Sequence, residues 1–294
     1  MLLRGFIFLT LPLLLGLSLP APATGQEQAS ASDNVKRKPA SVNVFKAFKA
    51  AGLPQFPSEL YAKLSEATRP QWRQHYRATV TRCLGSRPQA AMGLGAVNAD
   101  LFLAAQARDT QQIRNLLQDE ENIEKTLGLI TPMTKLRNEV LGAAEQADWV
   151  RLATGIEKLT AGQRRYLREQ KDAPLSDLLY IGQWLRTLQT CHAVVISRKL
   201  KDPILAIGDA ALISEMIRRL NTLSNPEKET NRCLRTLHKR LTDLARLWPE
   251  EGQPSIESPD RRLLRSAELL SEMVGELIQE EDPTPTGGLA APKP

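Results

Sequence analysis

No stretch of the chain alternates β-branched and polar residues at a period of two, the pattern of a half-buried strand. That absence argues against a sheet, and the fold class it leaves is all-α. Cysteine is scarce: Cys83, Cys191 and Cys233 form an odd set, allowing at most one internal disulfide with three pairings open. Histidine is equally scarce, at His75, His192 and His238, so few general bases are on offer. The G-x-S-x-G nucleophile elbow is missing, as is the haem-attachment run C-x-x-C-H. "GLGAVN" at 93–98 holds a G-x-G, but it lacks the preceding strand and the third glycine that a dinucleotide fingerprint needs. Long apolar runs are also lacking. The longest, Gly5 to Leu19, has about 15 residues where a spanning helix needs roughly 20.

That run has a different use. Arg4 precedes it, Pro20 ends it, and Ala21 and Ala23 supply the small residues of an A-x-A cleavage site, the order of a secretory signal peptide. The expectation is an exported protein, periplasmic or extracellular, with residues 1–23 removed; cleavage after Gly25 is an alternative. Residues 24–42 are small, polar and aperiodic, as a flexible linker would be. Residues 282–294 have the same character, and 43–281 form the expected helical domain. "AAMGLGAVNADLFLAAQA" is apolar enough to suggest a second span, but Asn98 and Asp100 near its middle would be costly in lipid.

Helix punctuation is abundant. Ser86 stands just before Arg87-Pro88, Thr131 before Pro132, Asp202 before Pro203, Asn225 before Pro226 and Ser258 before Pro259. An N-cap side chain followed by proline satisfies one orphan amide and omits another. Gly128 and Asn221 to Asn225 supply stop signals. Leu263, Ala267, Leu270, Val274 and Leu277 recur at steps of four and three, as do Leu234, Leu237, Leu241, Leu244 and Trp248. Arg232, Arg235, Lys239 and Arg246 fall on the solvated side of the second series. The expected architecture is a multi-helix bundle or irregular array of about eight to ten helices. An echo between "AAQARDTQQI" at 104–113 and "AAEQADWVRL" at 143–152 leaves helical-hairpin repeats open.

The residues with chemical potential are Cys191 and His192, Cys233 and His238, Cys83 and His75, and Asp100. Leu178, Leu185 and His192 are seven apart, as are Ile181, Leu188 and Val195, so His192 lies on a packing face beside Cys191 and Trp184. Neighbours on a helix point about 100° apart, so Cys191 and His192 cannot serve each other. Each cysteine has a histidine near it in sequence, yet none of the spacings converges donors on a metal. Ala91, Gly95 and Ala99 repeat every four residues and offer a smooth side for close helix approach. Asp100 lies off that line and needs an arginine or amide partner if its side is covered. The acidic run Asp119 to Lys125 lacks the glycine and alternating ligands of a calcium loop and is expected to be a charged helix face.

The net charge is +6, and residues 1–100 carry twelve Lys or Arg against five Asp or Glu. No concentrated stripe or motif of a nucleic-acid reader accompanies the charge. Residues 36–49, with Phe45 and Phe48 among lysines, offer either a docking helix or a weak contact to an anionic membrane. The function expected is non-enzymatic binding or scaffolding through helix faces, with a protein or cell-envelope partner and no cofactor or nucleic acid. The alternatives are a thiol or metal protein using the Cys and His set, and an exported helical enzyme whose site is assembled from distant helices.

Overall fold

The computed structural model describes residues 56–77, 86–199, 210–223, 231–248 and 258–278, all within the unit that spans 41–294. Residues 1–55, Cys83, the Asp202–Pro203 and Asn225–Pro226 pairs and the 282–294 tail lie outside them, so the expected signal peptide, linker and basic segment do too. The described residues form nine α-helices and no strand, as the missing two-residue period requires: α1 (Pro57–Thr68), α2 (Arg87–Gln106), α3 (Thr110–Leu127), α4 (Ile130–Glu145), α5 (Trp149–Glu169), α6 (Ala173–Ser197), α7 (Ala210–Asn221), α8 (Arg232–Leu247) and α9 (Pro259–Ile278). One 3₁₀ turn covers Trp72–His75. No helix of the described residues is long and apolar enough to cross a membrane.

Capping chemistry sets the boundaries. Ser86 accepts from the Gln89 amide at the head of α2, and Gly128 closes α3 at a φ of 74°. One expected start is displaced. Thr131 does not cap α4; the helix begins at Ile130, and Pro132 sits in its first turn, where no intrahelical donor is lost. Three hairpin turns share one construction. Arg108, Ala147 and Lys171 adopt left-handed backbone, at φ of 51°, 54° and 63°, and the next residue is Asp109, Asp148 or Asp172. Each aspartate amide reaches back to the preceding helix, at the carbonyls of Ala104, Ala143 and Leu167, the closing bond of a left-handed C-cap. Asp109 and Asp148 then cap the next helix, while Asp172 pairs with Arg87 at 2.7 Å.

The echo between 104–113 and 143–152 is therefore a shared turn. It does not mark a stack of hairpins, because α2 packs chiefly on α6 instead of on α4. These two helices run parallel at the centre, with Met92 against Gly182 and Asp100 against Arg186. A Cβ added at Gly95 would overlap the Leu179 carbonyl oxygen and lie 2.6 Å from the Gln183 nitrogen. One added at Gly182 would overlap the Met92 carbonyl. The smooth side at Gly95 is thus a backbone-to-backbone seam, with Gly182 its counterpart on α6. Both helices are buried nearly all round, from Gln89 to Ala104 and from Leu175 to Val195. Burial on α6 extends beyond the expected apolar stripe to nearly the whole helix and takes in polar side chains such as Gln183, Arg186 and Thr190. Around this pair, α3 folds back on α2, α4 and α5 form a hairpin, and α9 and α7 cover α6.

Candidate functional site

Cys191 and His192 face the core from α6. The Cys191 thiol is fully buried, and burial raises its pKa far above the ordinary thiol range. His192 is 1% exposed, with Nδ1 2.8 Å from the Leu188 carbonyl oxygen. A carbonyl only accepts, so Nδ1 carries the proton and Nε2 presents a bare lone pair. Nε2 has no hydrogen-bond partner among the described residues, and burial lowers the imidazole pKa to about 4. The Trp248 ring stands edge-on to the imidazole at 6.5 Å, with its Nε1 donating to Ser266 at 2.8 Å.

The other pairs are separate. His238 lies near the surface, its Nε2 3.1 Å from Asn221 Oδ1, and Cys233 is only partly buried, one turn earlier on α8. His75 contributes its carbonyl, which accepts from Arg186 at 2.6 Å, while burial first and then Arg186 hold its imidazole pKa below the usual value. Among the described residues no three His, Cys, Asp or Glu side chains gather into a set that could hold a metal ion.

Asp100 has the arginine partners its burial demands. It accepts from Arg186 Nε at 2.8 Å and from Arg77 through its other oxygen, and it is 3% exposed. Arg186 also donates to Gln189. This network ties α2, α6 and the segment after the 3₁₀ turn together.

The run from Asp119 to Lys125 is not the solvated face expected. Asp119, Glu120 and Glu124 are buried, with Glu120 and Glu124 fully so. Gln163 of α5 donates to both glutamates, at 3.0 Å for Glu124, and accepts from Asn98 of α2 at 2.8 Å. Arg137 of α4 pairs with Glu124 and reaches Glu121 at 3.7 Å. Burial, then the neighbouring Glu124 carboxylate, drives the Glu120 pKa well up. Burial lifts Glu124 to about 7 despite Arg137 beside it. Two carboxyls one turn apart with a single arginine cannot both ionise cheaply out of water.

A cationic group that the sequence reading passed over lies on α5 and α7. Arg164 places its guanidinium carbon 5.5 Å from the Phe56 ring centre and 6.0 Å from that of Tyr180. Arg219 lies 4.1 Å from the Tyr180 ring centre and is held by Asp177 at 2.6 Å and Glu215 at 2.7 Å. The rings are themselves seated, Phe56 on Phe102 and Tyr180 on Trp184, each pair at 6.2 Å. Arg164 has no ion pair or hydrogen bond among the described residues. Burial, and repulsion from Arg168 and Arg219, lower its pKa. The signal available in sequence was "QRRYLRE", in which Arg165 has Glu169 four residues on and Arg164 has Arg168.

No family model, curated protein or solved structure matches this chain.

Proposed function

We propose that the chain is an exported, non-enzymatic binding or scaffolding protein that works through its outer helix faces. One observation supports this above the rest: the helix carrying Cys191 and His192 has its backbone against α2 at Gly95 and Gly182. A thiol acts as nucleophile or metal ligand through its thiolate, and Cys191 is buried where the thiolate is strongly disfavoured. His192 has given one nitrogen to its own helix and is packed on Trp248. Recognition then falls to side chains on the outside, such as Arg232, Arg235, Lys239 and Arg246 along α8, all exposed. Export rests on the leader-like order of residues 1–23.

The test is thiol titration with metal analysis on the natively purified mature protein, with intact mass read on the same sample. The expected outcome is Cys191 unreactive until the protein is unfolded, no stoichiometric metal, and a mass that begins at residue 24 or 26. Rapid native alkylation of Cys191, or bound metal at one equivalent, replaces this reading with the thiol or metal protein.

A further inference from the structure

Arg164 and Arg168 lie four residues apart on one face of α5, and neither has a carboxylate partner among the described residues. Like charges at that spacing destabilise a helix. The next register of the same helix shows the usual remedy, since Arg165 meets Glu169 at 3.7 Å. Nearby, Arg219 is matched by Asp177 and Glu215, and Arg218 also pairs with Glu215. Arg164 and Arg168 have no compensating carboxylate among the described residues.

The contacts that Arg164 does make do not replace an anion. Phe56 and Tyr180 attract the guanidinium through their ring electrons. Ring contact uses none of the five N–H donors, which lie in the guanidinium plane. Those donors form a fork whose geometry matches two oxygens of one oxyanion. Here the fork is half-buried, held by two seated rings, and has no protein acceptor among the described residues.

We propose that Arg164 and Arg168, beside the Tyr180 ring, form a binding site for a phosphate dianion, with Arg164 donating through its fork and Arg168 supplying the second charge. Two uncompensated cations suit two negative charges better than one, which favours phosphate over carboxylate. Arg219 stays with its carboxylates and borders the site. The inference rests on the reading of the chain as a binding protein, but the two fail separately: thiol reactivity tests that reading and phosphate binding tests this one.

The experiment follows the arginine Nε–Hε resonances of the full mature protein during titration with inorganic phosphate at constant ionic strength. Vesicles containing phosphatidic acid form a second arm, and acetate is the monoanion comparator. The expected result is saturable phosphate or vesicle binding that moves the Arg164 resonance. R164Q should weaken it roughly tenfold and R168Q several-fold. R165Q, which removes the same charge one residue away, should bind as the parent does. R164K keeps the charge without the fork and should fall between R164Q and the parent, and thermal melts of each variant establish that it is folded. Binding in the phosphate arm identifies a soluble phosphate ligand, and binding in the vesicle arm alone identifies a lipid headgroup. No saturable binding in either arm overturns the proposal, as does equal binding by folded R164Q or acetate binding as tight as phosphate.

Discussion

Glu120 and Glu124 sit one turn apart, buried, and share Gln163 as donor. Both have folded pKa values above the unfolded carboxylate range, so the folded chain holds more protons than the unfolded one between about pH 4.5 and 7. Stability from this pair is therefore present at low pH and is lost as pH rises through the folded values. Each pH unit of displacement corresponds to roughly 1.4 kcal/mol. E120Q keeps an acceptor for Gln163 and removes the charge, so urea unfolding should show a flatter fall between pH 5 and 7.5. At pH 7.5 it should show about 1 kcal/mol or more of stabilisation. A steeper fall, or destabilisation at pH 7.5, would contradict the assignment. Burial here was not legible in sequence. Four acids in "DEENIEK" read as a wet face because spacing along α3 says nothing of α2, α4 and α5. Asn98, Gln163 and Arg137 arrive from those helices, and only their convergence makes the face an interior. Asp100 was more legible, since its apolar neighbours raised the condition that, if its side were covered, it would need an arginine or amide partner.

Helix identity and most ends were readable because caps are local chemistry: Ser86, Asp109, Asp148 and Gly128 each act within a few residues of their position. The start of α4 was not, because proline fits any position of a first turn and so marks a start only to within that turn. Close packing was half readable. The Ala91-Gly95-Ala99 spacing advertised a smooth side, while Gly182, alone among large residues, gave no pattern. Two glycines of the same helical state now separate cleanly. G95A places a methyl against the Leu179 carbonyl and must part α2 from α6, costing about 3 kcal/mol or more. G142A on α4 meets nothing within 4 Å and should stabilise by roughly 0.5 to 1 kcal/mol through helix propensity and a less free unfolded chain. Chemical denaturation of both variants checks the pair. Similar losses from the two would mean that the seam is no tighter than an ordinary helix surface.

Across the whole molecule, two buried groups pull the pH dependence in opposite directions. His192 has a folded pKa below the unfolded value, so the unfolded chain binds the extra proton between about pH 6.5 and 4. Stability from His192 is present above that window and is lost as pH falls through it. The carboxyl pair does the reverse at its upper end, so stability should pass through a maximum at mildly acidic pH. H192Q should lift the acid limb while leaving the neutral limb in place, read as unfolding free energy against pH. A variant that left the acid limb unchanged would move the acid sensitivity to another group. The parallel seam has a consequence of another kind, in time. Helix α2 leaves the ribosome needing cover on nearly every side, and its main partner follows only after three further helices. Closing so long a loop adds little to the equilibrium cost, because that cost grows only with the logarithm of length. Non-local pairing nevertheless slows folding, so a helix that is buried nearly all round in the finished fold waits for α6. Whatever keeps the nascent protein from aggregating must shield residues 87–106 until that helix arrives.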